Sequence, residues 1–145
     1  MLNVPQKADH ALVLMRHLAL RHAHGLPLSL EDVAKAEGIS QGYLEEVARL
    51  LRTAKLVEGR RGAHGGYVLS REPQDITVAD VVTAIEGHKW TAECLGDAKR
   101  TRVAAHDMVW RKVQGQVMTT LRGMTIANVA EVAVAHAKAL SDLTE

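Results

Sequence analysis

The chain of 145 residues lacks phenylalanine, contains a single cysteine, and has no apolar run of the length that a membrane span requires, about 18 residues. Because aromatic residues make up only 3% of the chain, the core must consist of leucine, valine, isoleucine, methionine and alanine, a composition that favours helices. The charged residues Lys7, Asp9 and Arg16 interrupt the amino-terminal apolar pattern, which argues against a cleavable signal peptide. We therefore expect a cytoplasmic protein with no membrane partner.

Signatures of catalysis are also missing from the sequence. It contains no glycine-rich phosphate loop, no nucleophile elbow and no paired carboxylates, so we do not expect an enzyme. A hydrophobic content of 47% with 24% charged residues is typical of one globular domain of this length. The formal net charge of +1 does not by itself indicate a nucleic-acid partner.

The most informative segment is a basic pair followed by glycines, at residues 60–69 (RRGAHGGYVL). Glycine permits the backbone conformations of a tight loop, so this segment predicts a β-hairpin whose tip presents Arg60, Arg61 and His64. The chain upstream is also basic, with Arg49, Arg52 and Lys55. A positive face of this kind would bind phosphates, although a surface hairpin with solvated arginines and a solvated charge cluster are the alternative interpretations.

Two short helices are predicted before the hairpin. The first begins after Ser29, with Asp32 at the capping-box position, and ends at Gly38; the second begins after Ser40. The second helix has one apolar stripe, formed by Leu44, Val47, Leu50 and Leu51. Two helices around a glycine turn, followed by a basic hairpin, make a winged helix-turn-helix, so the predicted fold class is mainly α with a small β-hairpin. The second helix would then lie in the major groove, and its amino-terminal half would present Ser40, Gln41, Tyr43 and either Glu45 or Glu46.

A long amphipathic helix of about 20 residues is predicted in the carboxy-terminal region, because Trp110, Val113, Val117 and Leu121 recur at helical spacing. A winged helix-turn-helix alone offers too little apolar surface to bury both this helix and the first helix of the chain. We therefore expect a homodimer in which the long helix forms the interface. An intramolecular core is the alternative role of the stripe.

The ordered set of these motifs resembles the Rrf2 family of bacterial transcription regulators. The resemblance runs from about residue 7 to about residue 129 and rests on residues 39–45, the leucine-rich stretch ending at Leu56 and Val57, the hairpin at 61–69, and residues 76–87. It implies a homodimeric, sequence-specific repressor that binds palindromic double-stranded DNA and inserts Arg61 into the minor groove. It also implies three regions within one structural domain: a winged helix-turn-helix at 1–87, a sensor loop at 88–103, and a dimerisation helix and tail at 104–145.

The sensor loop is where this chain departs from the family. Cluster-binding members hold iron through three cysteines ahead of the long helix, whereas this chain has only Cys94, with Arg100 where the second would fall. One interpretation is an iron–sulfur cluster with mixed ligation by Cys94, His106 and Asp9 of the other subunit. The other is a regulator without a cofactor, controlled by thiol oxidation, a small effector or the docking of an enzyme or another factor.

Overall fold

The computed structural model describes residues 4–88 and 104–143. The described part contains six α-helices and one two-stranded antiparallel hairpin, which is the predicted fold class. In chain order the elements are α1 (Gln6–His22), α2 (Leu30–Glu37), α3 (Gln41–Thr53), β1 (Val57–Arg60), β2 (Gly66–Leu69), α4 (Val78–Glu86), α5 (Ala104–Arg122) and α6 (Ile126–Asp142). A 3₁₀ turn, Pro73–Asp75, precedes α4.

Local capping explains the two helices of the helix-turn-helix. The Ser40 hydroxyl accepts a hydrogen bond from the Tyr43 N–H at 3.3 Å and starts α3. Gly38, at φ 65°, ends α2 in the left-handed conformation that glycine adopts without steric cost. Ser29 also caps α2 as predicted, but its hydroxyl accepts from the Glu31 N–H and not from that of Asp32, so the predicted capping box does not form.

One aliphatic core joins the winged helix-turn-helix to the rest of the described chain. Helix α1 lies at its centre and packs against α3, α4, α6 and β2. The largest fully buried side chains come from several elements and are all aliphatic or methionine: Leu14, Met15, Leu18, Leu44, Leu51, Ile76 and Ile126. The core therefore consists of closely packed aliphatic and methionine side chains and contains no phenylalanine.

The hairpin is fixed to the helices by its second strand. Its register pairs Val57 with Leu69 and Arg60 with Gly66. Leu28 and Tyr67 exchange two backbone hydrogen bonds of 2.9 Å, which attach β2 to the segment before α2. A Cβ atom at Gly66 would lie 2.3 Å from the Leu28 carbonyl oxygen, so only glycine permits this approach.

The carboxy-terminal tail contains a second helix that the sequence analysis did not predict. Helix α6 starts with a capping box formed by Thr125 and Asn128, and its first residue, Ile126, is fully buried. The Ile126 N–H donates to the Ile76 carbonyl at 2.9 Å. This helix therefore belongs to the same packed body as the winged helix-turn-helix. Among the described helices, none is both long and apolar enough to cross a membrane.

Candidate nucleic-acid interface

Helix α3 has one buried and one exposed face. Its buried side chains are Leu44, Val47, Ala48 and Leu51; three of these belong to the predicted apolar stripe, whereas its fourth member, Leu50, is only half-buried. The exposed residues recur three or four positions apart on the opposite side: Gly42, Glu45, Glu46, Arg49 and Arg52. Since Ser40 and Gln41 are exposed as well, the helix presents a polar surface along its whole length. This surface has the shape and polarity of a helix that enters the major groove.

Tyr43 differs from the other predicted contact residues of α3 because it is half-buried. Its ring meets the ring of His10 on α1 edge to face, with 5.5 Å between the ring centroids. The contact fixes the position of the first turn of α3 against α1. Tyr43 therefore packs partly against α1 and contributes less exposed area to the polar surface than its exposed neighbours do.

The adjacent acids Glu45 and Glu46 have different environments. Lys7 on α1 donates to Glu46 at 2.6 Å, and this hydrogen bond lowers the pKa of Glu46 and raises that of Lys7. Glu45 accepts a hydrogen bond of 3.3 Å from Gln41, one turn earlier on the same helix. Glu46 is therefore directed towards α1, whereas Glu45 and Gln41 form a polar pair at the amino-terminal end of the exposed face.

The hairpin and the carboxy-terminal end of α3 enclose a basic cleft of about 740 Å³. The cations that line it are Arg52, Lys55, Arg60 and Arg61. One acid, Glu58, also lines the cleft, and its carboxylate lies 3.5 Å from the Arg60 guanidinium. His64 is exposed in the loop between the two strands. The cleft continues the exposed face of α3 into the hairpin, so one surface joins the predicted recognition helix to the predicted wing.

The sequence places Arg52 and Lys55 in a positive face beside the hairpin but gives equal weight to solvated charges at these two positions, and the structure brings both side chains into the cleft. The spacing from Arg49 to Arg52 was the available signal, because three residues along a helix return to the same face. The place of Lys55 depends on how the chain leaves α3, which helical periodicity does not encode.

The predicted interface stripe on α5 is divided between two environments. Val117 and Leu121 are half-buried and pack against Ala8, Val78 and Val82 of the same chain. Trp110, by contrast, is 46% exposed, and the neighbouring Met108, Val109 and Val113 are exposed as well. The first half of the stripe thus presents an apolar surface that no residue of the described ranges 4–88 and 108–143 buries.

The predicted sensor ligands are only partly placed. Cys94 lies outside the described residues, His106 belongs to the first turn of α5, and Asp9 is exposed in the first turn of α1. In the part of the chain that the structure describes, no three histidine, cysteine, aspartate or glutamate side chains gather as metal ligands. With one cysteine in the whole chain, the residues fit iron only as mixed ligation by thiolate, imidazole and carboxylate.

Comparison with known proteins connects this architecture to transcriptional regulators. Residues 4–132 match the family model for Rrf2, described as an iron-dependent transcriptional regulator. The chain is 34% identical over 129 residues to the HTH-type transcriptional regulator CymR of Bacillus subtilis, a match that covers 89% of this chain and 90% of CymR. It is 32% identical over 131 residues to the HTH-type transcriptional regulator IscR of Vibrio atlanticus, covering 88% of this chain and 75% of IscR.

Solved structures show the same relationship. The structure of CymR, described as the global cysteine regulator of B. subtilis, matches with a TM-score of 0.78 and 32% identity. That match covers 91% of this chain and 98% of the CymR chain. The structure of IscR from T. potens matches with a TM-score of 0.74 and 32% identity, covering 91% of this chain and 88% of that chain.

Proposed function

The chain belongs to the Rrf2 family and is a DNA-binding transcriptional regulator, and from this premise we propose that it acts as a homodimer that represses transcription from a palindromic operator. The observation that carries the proposal is the continuous surface formed by the exposed face of α3 and the basic hairpin. In this arrangement α3 reads base edges in the major groove, and the hairpin places Arg61 against the neighbouring minor groove. The cations between them bind phosphates and fix the position of the protein on the duplex. No catalytic step forms part of this function.

The uncovered half of the α5 stripe supports the homodimer. Trp110 and Val113 belong to an exposed apolar surface on a helix whose other half is already packed, and a second copy of the same helix would bury it. A two-fold axis through α5 would relate two copies of α3, whose half-sites would be about 34 Å apart along the DNA. We expect Trp110→Glu to give a folded monomer in sedimentation equilibrium, with Val132→Glu, an exposed position on α6, as the control.

The operator is tested by selecting bound fragments from fragmented genomic DNA with the purified full chain. The proposal expects fragments that share a motif with two-fold symmetry and that lie over promoters. A reporter gene under such a promoter should be expressed more strongly when the regulator is deleted. Fragments without internal symmetry, or lower reporter expression after the deletion, would contradict the dimeric repressor.

We further propose that the regulator responds to redox state or to iron through Cys94. The donors for mixed ligation are Cys94, His106 and Asp9 from the second subunit, and a cluster bound there would supply one-electron redox chemistry. The visible absorption of protein purified without oxygen tests this, together with analysis of iron and sulfide. Absorption that Cys94→Ala and Asp9→Ala each abolish supports the cluster. A colourless protein whose DNA affinity changes reversibly with mild peroxide supports a thiol switch instead.

A second candidate function is a regulator without a cofactor that docks an enzyme or another factor. The observation that favours it is the exposure of two apolar side chains three positions apart at the carboxy-terminal end of α6, Leu140 and the following C-cap residue Leu143, both of which are more than half exposed. A docked protein would cover these side chains and change the affinity for DNA. If Leu140→Glu leaves DNA binding by the purified dimer intact but removes regulation in cells, this function is supported. Unchanged regulation would argue against it.

A further inference from the structure

A cavity of about 320 Å³ lies between the hairpin, the carboxy-terminal end of α1 and the segment that joins α1 to α2, and we call it the wing cavity. Its volume is at the lower end of the range for small-molecule sites, about 300–1,000 Å³. The apolar side chains that line it are Leu18, Leu26, Pro27, Val68 and Leu69. Since Leu18 and Leu69 are buried whereas Leu26 is 57% exposed, the cavity extends from the core to the surface. It therefore offers an apolar site that a small molecule can enter from solvent.

The polar groups of the wing cavity favour an anion. They come from His22, Arg60 and Tyr67, and none of the described residues that line the cavity is acidic. His22 is already paired with Glu72, at 3.2 Å. The Arg60 guanidinium lies 3.5 Å from the Glu58 carboxylate, a longer distance than the roughly 2.7–2.9 Å of a charge-assisted hydrogen bond. Because a guanidinium has several N–H donors, Arg60 can bind a second carboxylate.

Arg60 connects the wing cavity to the proposed DNA surface. Both Arg60 and Tyr67 line the wing cavity and the basic cleft. The Arg60 side chain is 58% exposed, so it can turn from one site towards the other. One guanidinium cannot bind a carboxylate in the cavity and a phosphate in the cleft at the same time with good geometry. A ligand in the wing cavity would therefore compete with DNA for Arg60.

We propose that the wing cavity binds a small apolar carboxylic acid and that the bound acid lowers the affinity of the protein for DNA. The apolar part packs against Leu26, Val68 and Leu69, and the carboxylate accepts hydrogen bonds from Arg60. This contact draws the guanidinium away from the basic cleft, so a DNA phosphate loses its partner. The inference rests on the proposed docking of the wing on DNA, and it adds a chemical signal that releases the protein from its operator. By linkage, DNA must lower the affinity for the acid by the same factor.

Isothermal titration calorimetry of the full chain tests the binding, with octanoate as the probe and octanamide as its uncharged analogue of the same length. We expect octanamide to bind about tenfold more weakly, because only the carboxylate forms charge-assisted hydrogen bonds with Arg60. Affinity should fall by roughly three- to fourfold for each CH₂ removed between octanoate and hexanoate, since the apolar contact becomes smaller. In fluorescence anisotropy, saturating octanoate should weaken binding to a selected operator duplex by about fivefold or more, while octanamide at the same concentration has little effect.

Three variants locate the site. Leu26→Gln should weaken octanoate binding by about three- to tenfold, because it places a polar group at the apolar rim of the cavity. Since Leu26 does not belong to the described lining of the basic cleft, this variant should bind DNA normally without octanoate. Arg60→Gln should make octanoate and octanamide bind equally. Val132→Gln, at a 69% exposed position on α6, is the control and should change the affinity for neither the acid nor DNA.

The outcomes separate this inference from the proposed function. If octanoate does not bind at millimolar concentrations, or binds without weakening DNA binding while Arg61→Ala still weakens it, the wing cavity is not an effector site and the proposed interface stands. Octanoate binding that Leu26→Gln and Arg60→Gln leave unchanged would place the acid elsewhere and would also refute the inference. If Arg60→Gln and Arg61→Ala both bind DNA with wild-type affinity, the proposed interface itself is wrong and the inference fails with it.

Discussion

Replacing Ile126 tests whether α6 is part of the same folded body as the DNA-binding helices. Ile126 is fully buried beside Ile76, and backbone hydrogen bonds from Ile126 to Ile76 and from Val78 to Met124 hold the two segments together. Because these bonds restrict relaxation around the truncated side chain, Ile126→Ala should cost about 2–5 kcal/mol of unfolding free energy and Ile126→Val about 0.5–1.5 kcal/mol. For a chain of this length, the alanine substitution should lower Tm by roughly 5–15 °C.

Urea unfolding followed by circular dichroism measures the free energy, and Val132→Ala serves as the control. Val132 lies on the same helix but is 69% exposed, so its truncation should change the free energy by less than about 0.5 kcal/mol. Unfolding should remain a single transition in all three variants. A cost below about 1 kcal/mol for Ile126→Ala, or a separate transition for α6, would refute the conclusion that α6 completes the core.

Three further predictions concern the surface of the helix-turn-helix. Gly42→Ala should stabilise the fold by about 0.5–1 kcal/mol, because a Cβ atom there would meet only the Ser40 hydroxyl at 3.9 Å. Because Gly42 lies on the exposed face of α3, the same substitution should weaken DNA binding. Gly115→Ala on α5 should stabilise the fold without changing DNA binding. Glu45→Gln should change base preference at one position by about 1–3 kcal/mol in competition binding, whereas Glu46→Gln should leave the preference intact. A hydrogen bond from His17 lowers the pKa of Glu37 below its ordinary value of 4.5, so this contribution to stability is present above pH 4.5 and is lost as pH falls through the lowered pKa. The destabilisation by Glu37→Gln should therefore shrink on acidification, which urea unfolding at several pH values checks.

The sequence alone predicts those features that depend on residues close together along the chain. The apolar stripe of α3, the serine cap of this helix and the glycines of the hairpin are local patterns; the structure confirms the cap, the hairpin and three of the four stripe residues, with Leu50 half-buried. Once the buried stripe of α3 is identified, the remaining residues of this helix must form its exposed face. The recognition helix and the wing could therefore be located from local sequence patterns.

Features that depend on distant residues could not be predicted in this way. The ion pair of Lys7 and Glu46 joins positions 39 residues apart. This pair directs Glu46 towards α1 and so distinguishes it from its neighbour Glu45, which stays on the exposed face of α3. Helix α6 carries exposed valines as well as buried side chains, so it has no single apolar stripe, and its place follows from the contact with Ile76. The left-handed conformation of Lys55 is set by the way the chain turns from α3 into the hairpin.

The salt dependence of DNA binding by Arg61→Ala tests the central claim most directly. Arg61 lies in the wing and lines the basic cleft, whereas Arg122 is an exposed arginine at the end of α5 and serves as the control. Affinity for one duplex is measured by fluorescence anisotropy at several salt concentrations. If the wing and α3 bind DNA, the slope of log affinity against log salt falls by about 0.9 per protomer for Arg61→Ala and keeps its wild-type value for Arg122→Ala. A slope that Arg61→Ala leaves unchanged, or that Arg122→Ala lowers equally, would contradict this interface.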